Sequence, residues 1–284
     1  MSPDLTGRPI AVLGAGTLGR RIALMFATQG GVVRICDVSD EQRAAARTFV
    51  DEQLPAVLDT VAGGTAANVE DSADLATVVA DAWLVVESLP ERIELKRQVF
   101  PDLERLAAPD AVLASNSSSY PTSALVEVVT QPERLLNMHF FMPPRVVAVE
   151  LMSCGRTDPA ILERLMQVLP SYGLVPFQAK AQSVGFIYNR IWAAIKRESL
   201  AVAAEGVASP EDIDRLFMEV LKTQSGPFQM MDRVGLDVVL DIEEHYAADR
   251  EALPESPRRL LREYIADGRL GVKSGRGFYD YPDA

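Results

Sequence analysis

Strand-length apolar runs recur through the first half of the chain, at Ile10–Leu13, Val32–Cys36 and residues 82–86, 111–114, 135–139 and 146–151. Between them, residues 20–29, 40–61 and 91–107 carry apolar side chains at helical spacing, and a further helix follows Thr157-Asp-Pro. Alternation of this kind predicts a mostly parallel sheet covered by helices on both faces, with residues 174–177 as one more strand. The pattern changes near Ser183. Residues 186–206 form a long stretch with one apolar face ending at Gly206, and only helical spacing follows. Ser209-Pro210-Glu211-Asp212 is a helix start, with Ser as N-cap, Pro at the first position and acids in the first turn. The pattern divides the chain into residues 1–182 and a smaller all-α part at 183–284.

The first apolar run leads into Gly14-Ala-Gly16-Thr17-Leu18-Gly19. A strand, a glycine turn and a helix start in that order define the phosphate-binding loop of a dinucleotide fold. Gly14 permits the sharp turn, Gly16 lets the backbone approach a pyrophosphate, and Gly19 allows close helix packing. The helix N-terminus offers free N–H groups to phosphate. The second run ends in Asp37, an acid placed to bond the ribose hydroxyls and to repel a 2′-phosphate, so the expected cofactor is NAD. Arg34 and Arg43 are the nearby cations able to attract a 2′-phosphate. The expected fold is therefore α/β: a Rossmann-type doubly wound sheet followed by the helical domain.

At 284 residues, 48% of them apolar, the chain suits two domains with substantial cores. Its formal charge of −12 argues against nucleic acid and anionic membranes as partners. No apolar run approaches the roughly 20 residues of a membrane span. Met1-Ser-Pro-Asp-Leu lacks the features of a signal peptide, and Cys36 and Cys154 give neither a disulfide framework nor metal-ligand spacing. A cytoplasmic protein without a metal is expected.

Of the two histidines, His245 lies on a charged helix and reads as a surface residue. His139 ends an apolar run, and Glu150 ends the apolar stretch after the Pro-Pro turn. A strand–turn–strand arrangement would bring the carboxylate against the imidazole, fixing its tautomer and stabilising its cation. A satisfied core histidine beside an incidental acid is the alternative. The polar cluster Asn116-Ser-Ser118-Ser follows a strand, where open α/β sheets bind ligands, although a simple turn has the same composition.

Taken together, these stretches resemble the L-3-hydroxyacyl-CoA dehydrogenase family over nearly the whole chain. The resemblance rests on the glycine loop, Leu84-Val-Val-Glu-Ser-Leu-Pro-Glu91, Leu113-Ala-Ser-Asn-Ser-Ser-Ser119 and Met138-His-Phe-Phe-Met-Pro-Pro144. It continues in Gly185-Phe-Ile-Tyr-Asn-Arg190 and Leu270-Gly-Val-Lys-Ser-Gly-Arg-Gly-Phe-Tyr279. It implies reversible oxidation of an L-3-hydroxyacyl group, as in fatty acid metabolism, with NAD taking the hydride. It implies His139 as base with Glu150 as its partner, and Ser118 and Asn189 as groups bonding the reacting oxygen and its neighbour. It places Thr17, Leu18, Glu91, Lys96, Asn116 and Lys273 beside the cofactor, and it implies a homodimer through the helical domain.

Three departures from the family pattern stand out. Met142 replaces an Asn, removing a hydrogen-bonding group. The stretch from His139 to Glu150 is one residue shorter, which threatens the register of the pair. Arg43 and Arg47 are the only cations between Asp37 and Gly64, where acyl-CoA members carry a basic helix pair for the coenzyme phosphates. A free 3-hydroxy acid of sugar-acid or carnitine type is therefore an alternative substrate, with Arg145 or Arg190 pairing its carboxylate. A non-catalytic NAD-binding scaffold is a second alternative.

Overall fold

β1 (Ile10–Leu13) and β2 (Val32–Cys36) form over the residues that the apolar pattern predicts. β4 (Leu84–Glu87), β5 (Val112–Ser115), β6 (Leu135–Phe140), β7 (Ala148–Ser153) and β8 (Val175–Ala179) lie one or two residues C-terminal of the predicted runs or extend beyond them. β3 (Asn68–Ser72) is the strand that the pattern missed. Only Val69 of its five residues is buried, so it has almost no apolar signature. The computed structural model describes residues 7–282, apart from the side chain of Asp249. The described residues divide into two compact units between Ile187 and Tyr188.

The first unit is one eight-stranded sheet in the order β3-β2-β1-β4-β5-β6-β7-β8. Every pairing is parallel except the β6–β7 hairpin. All residues of β1, β4, β5 and β6 are buried, as strands covered on both faces require. The covering helices are α1 (Thr17–Phe26), α2 (Asp40–Leu58), α3 (Leu75–Val79), α4 (Ile93–Leu106) and α5 (Pro159–Val168). Capping follows local chemistry: Ser39 accepts from the Gln42 amide and Asp74 from those of Ala76 and Thr77. Two apolar cores result, one on each side of the sheet. Phe26, Ile35, Phe140 and Leu151 belong to one, and Phe100, Leu103 and Leu113 to the other. The strand order reverses direction between β1 and β4, the position at which such sheets open a ligand crevice.

The second unit is helical: α6 (Tyr188–Ala204), α7 (Pro210–Leu221), α8 (Pro227–Val234), α9 (Leu236–Asp249) and α10 (Ser256–Ala266). Ser209 caps α7 by accepting from the Asp212 amide. Leu200, Phe228, Met231, Leu236, Leu261 and Phe278 form its core. Among the described residues no helix is long and apolar enough to cross a membrane.

Candidate active site

The glycine loop leaves the carboxyl end of β1. Gly14 has φ +100°, and a Cβ there would meet the Ser88 carbonyl oxygen at 2.5 Å. A Cβ on Gly19 would stand 1.8 Å from the Gly14 carbonyl oxygen. The close approach that Gly19 allows is thus to the loop itself, one turn earlier. A Cβ on Gly16 would meet no protein atom within 4 Å, so the backbone there is open on its outer side. Asp37 braces the loop: its carboxylate accepts from the Ala15 amide at 2.8 Å and the Ser39 amide at 2.9 Å. Thr17 is exposed and Leu18 half-buried at the start of α1.

The cations near Asp37 are already neutralised. Arg34 donates to Glu70 and is paired with Asp81, and Arg43 is paired with Asp40 and Asp71. Arg47 bonds the Val69 carbonyl and lies 3.6 Å from Asp71. None of these three arginines is left to receive a 2′-phosphate or a coenzyme phosphate. A strand end with an acid and no spare cation fits NAD.

At the switch point a second feature emerges that the motif reading did not single out. Glu87, fully buried at the end of β4, accepts from Lys96 Nζ at 2.7 Å, the Leu89 amide at 2.7 Å and Ser115 Oγ at 2.6 Å. Ser115 Oγ in turn accepts from the Ser117 amide, and Ser117 Oγ donates to Glu91 at 2.6 Å. Glu91 also accepts from the Ser119 amide, and Lys96 lies 3.3 Å from it. Burial opposes ionisation of Glu91, but these donors and the Lys96 charge outweigh it and hold its carboxyl below the usual range. Lys96 is 1% exposed and committed to the two glutamates. The network ties the loop after β4 to the loop after β5, which carries Ser118. Its signal was an acid closing an otherwise apolar strand, much as Asp37 follows the apolar end of β2.

The β6–β7 register sets His139 directly opposite Glu150. His139 Nδ1 lies 3.0 Å from Glu150 Oε2. The shorter turn therefore preserves the pairing. A directly opposed antiparallel pair shares one face of the sheet. Glu150 Oε1 accepts from the Ile187 amide at 2.9 Å. The imidazole is 5% exposed, with the Phe141 and Phe186 rings at 4.8 and 5.0 Å. With Glu150 accepting, Nδ1 carries the proton and Nε2 keeps its lone pair. Nε2 has no partner among the described residues.

β5 and β6 are adjacent parallel strands, so the loop holding Asn116 and Ser118 opens at the same sheet edge as His139. Asn116 Oδ1 accepts from the Phe140 amide at 2.9 Å, locking that loop to β6. Ser118 is exposed, and Met142 is 43% exposed in the hairpin turn. Asn189 lies on the first turn of α6 in the second unit. Lys273, also in the second unit, bonds both carboxylate oxygens of Asp237 at 2.6 Å. His245 is exposed on α9. Cys36 and Cys154 are free and buried, and burial pushes the Cys36 thiol up to about 11.

A Rossmann-type sheet, a glycine cradle and an Asp-ended second strand define a dinucleotide-binding protein. Residues 9–182 match the 3-hydroxyacyl-CoA dehydrogenase NAD binding domain, and residues 185–281 match the 3-hydroxyacyl-CoA dehydrogenase C-terminal domain. The chain belongs to the 3-hydroxyacyl-CoA dehydrogenase family. It is 30% identical over 285 residues to the mitochondrial hydroxyacyl-coenzyme A dehydrogenase of Sus scrofa, covering 96% of this chain and 90% of that one. It is 46% identical over 151 residues to the 3-hydroxyacyl-CoA dehydrogenase-like protein LAM1 of Cochliobolus heterostrophus, covering 52% of this chain and 32% of LAM1. The fold superposes on the (S)-3-hydroxybutyryl-CoA dehydrogenase PaaH1 of Ralstonia eutropha with TM-score 0.85 and 28% identity, covering 96% and 99% of the two chains.

Proposed function

We propose that this protein interconverts an L-3-hydroxyacyl-CoA thioester and its 3-ketoacyl form, with His139 as the general base. The observation that carries the reading is the His139–Glu150 pair, 3.0 Å apart and held on adjacent strands beside the Ser118 loop. Gly14, Gly16, Thr17, Leu18 and Gly19 would hold the cofactor pyrophosphate, Asp37 the adenosine ribose, and Glu91 and Asn116 the nicotinamide side. NAD, when bound, supplies the hydride acceptor for the carbinol hydrogen. His139 Nε2 takes the hydroxyl proton, and Glu150 stabilises the resulting imidazolium in a nearly dry site. Ser118 offers a hydroxyl donor for the oxygen as it becomes a carbonyl. Glu87 and Lys96 act at one remove, fixing Glu91 and the Ser118 loop.

The neutralised state of Arg43 and Arg47 supports the second reading, a free 3-hydroxy acid lacking coenzyme phosphates. Steady-state rates with acetoacetyl-CoA against free 3-hydroxy acids separate the two. For either substrate, His139→Gln is expected to lower kcat by roughly 10²–10⁴-fold while leaving NAD affinity nearly intact. Retained turnover in that variant ends the base assignment.

Exposed apolar side chains on α7, Leu216, Val220 and Leu221, support a homodimer through the second unit. The two buried free thiols support a reducing, cytoplasmic setting. The thioester reading carries with it a place in fatty acid metabolism.

A further inference from the structure

Arginines on α1, β2 and α2 fall into two sets. Arg34, Arg43 and Arg47, on β2 and α2, all face carboxylates. Arg20 and Arg21, on α1, have no carboxylate partner among the described residues. In a chain with 40 acidic and 28 basic residues, α1 thus carries two adjacent guanidiniums that no carboxylate among the described residues neutralises. Both stack on one ring: Arg20 Cζ lies 4.9 Å and Arg21 Cζ 5.1 Å from the centroid of Phe49 on α2. Stacking partly offsets desolvation of a guanidinium, but it does nothing for the repulsion between two like charges over one ring. The Nε–H groups of both arginines are buried without an acceptor. Buried donors are ordinarily satisfied, so two on one ring mark a place where an acceptor belongs.

The place is set by Arg21, whose Nη1 donates to the Pro143 carbonyl at 3.0 Å. That carbonyl belongs to the β6–β7 turn, four residues beyond His139. Arg145, exposed two residues further along the turn, also lacks a partner among the described residues. The unneutralised charge thus lies between α2 and the catalytic hairpin, not at the Asp37 end of the cofactor groove.

We propose that Arg20 and Arg21, stacked on Phe49, form a binding site for an oxyanion carried by the substrate. The proposal rests on the dehydrogenase reading above and adds the charge of the molecule oxidised. A coenzyme phosphate and the carboxylate of a free hydroxy acid share the chemistry that a guanidinium fork recognises. The site offers the positive charge that α2 does not.

The test is calorimetric titration of NAD-saturated protein with CoA and with acetoacetate, which requires no turnover. Wild type is expected to bind one of the two, and Arg20→Gln to weaken that binding about tenfold or more. Loss with CoA assigns the phosphate, and loss with acetoacetate assigns the carboxylate. Arg20→Lys, which keeps the charge and loses the fork, is expected to fall severalfold and serves should the Gln variant not fold. In kinetics, Arg20→Gln should lower kcat/KM for the anionic substrate relative to that for acetoacetyl-N-acetylcysteamine, a thioester without phosphates, by a similar factor. Unchanged binding of both anions, failure of wild type to bind either, or weakening of NAD alone overturns the site. Failure of the base assignment shows separately, as turnover that survives His139→Gln.

Discussion

Gly19 shows how a single missing carbon sets the path of the glycine loop. A methyl there would fall 1.8 Å from a backbone oxygen that cannot rotate away. Gly19→Ala must therefore displace the Gly14–Gly16 turn, at the roughly 1–3 kcal/mol typical of overpacking. NAD affinity, measured by titration calorimetry, is expected to fall by roughly ten- to a hundredfold; unaltered affinity would mean that the loop relaxes freely. The glycine turn, the acid after the second strand and the histidine near the end of β6 were legible as features because each is a residue type at a fixed point of a local motif. The pairings of Arg34 with Glu70 and Asp81, and of Arg43 with Asp71, were not. Those partners lie on different elements, so only the packed sheet brings them together.

At the scale of elements, the β6–β7 hairpin and the α7–α8 corner teach different lessons. The hairpin was legible as strand, turn and strand, but its register was not, since a one-residue change in turn length can flip a side chain to the other face. Pairing along the hairpin and burial of Met138, Phe140, Val149 and Leu151 fix it. The α7–α8 corner gave no sequence signal of its role. Asp214, 1% exposed, accepts from the Phe228 and Gln229 amides that open α8 and from the Tyr279 hydroxyl. Asp232, fully buried, likewise accepts from the Phe278 and Tyr279 amides and the Tyr281 hydroxyl. Two acids thereby splice the C-terminal segment onto α7 and α8. Asn in place of Asp214 presents a single acceptor oxygen, leaving at least one of those donors unmatched. Asp214→Asn is expected to destabilise the second unit by about 1–3 kcal/mol in denaturant titration, and an unchanged midpoint would refute the splice.

Across the whole molecule, the two units carry opposite pH signatures. In the second unit, burial pushes Asp214 and Asp232 above the usual carboxylate range despite their donors. Their contribution to stability is full below the unfolded pKa and is lost as pH rises through the folded one. In the first unit, Glu104 is opposed by burial but held low by the Thr130 and Gln131 amides and the Thr130 hydroxyl, and Asp110 is held low by Arg8. Their contribution is full above the unfolded pKa and is lost as pH falls through the folded one. Asp237 and Glu255 of the second unit are also held low, but their ion pairs, like that of Asp110 with Arg8, are exposed and screened by solvent, so the contrast rests on Glu104 against Asp214 and Asp232. Acidification from pH 7 to 4 should therefore reduce amide protection in the first unit more than in the second, as read by hydrogen exchange mass spectrometry. Equal responses, or the reverse order, would contradict the assignment.

By itself the sequence determined the alternation of strands and helices, the glycine loop with its acid, and the change to an all-helical second half. These follow from periodicity and from residue types whose meaning is local. Tertiary structure alone decided that His139 faces Glu150 across a shortened hairpin, that Glu87 and Lys96 lie buried beneath the Ser118 loop, and which arginines are neutralised. Those outcomes depend on which distant residues the sheet order brings within about 3 Å, the reach of a hydrogen bond. The composition of a chain does not encode that distance.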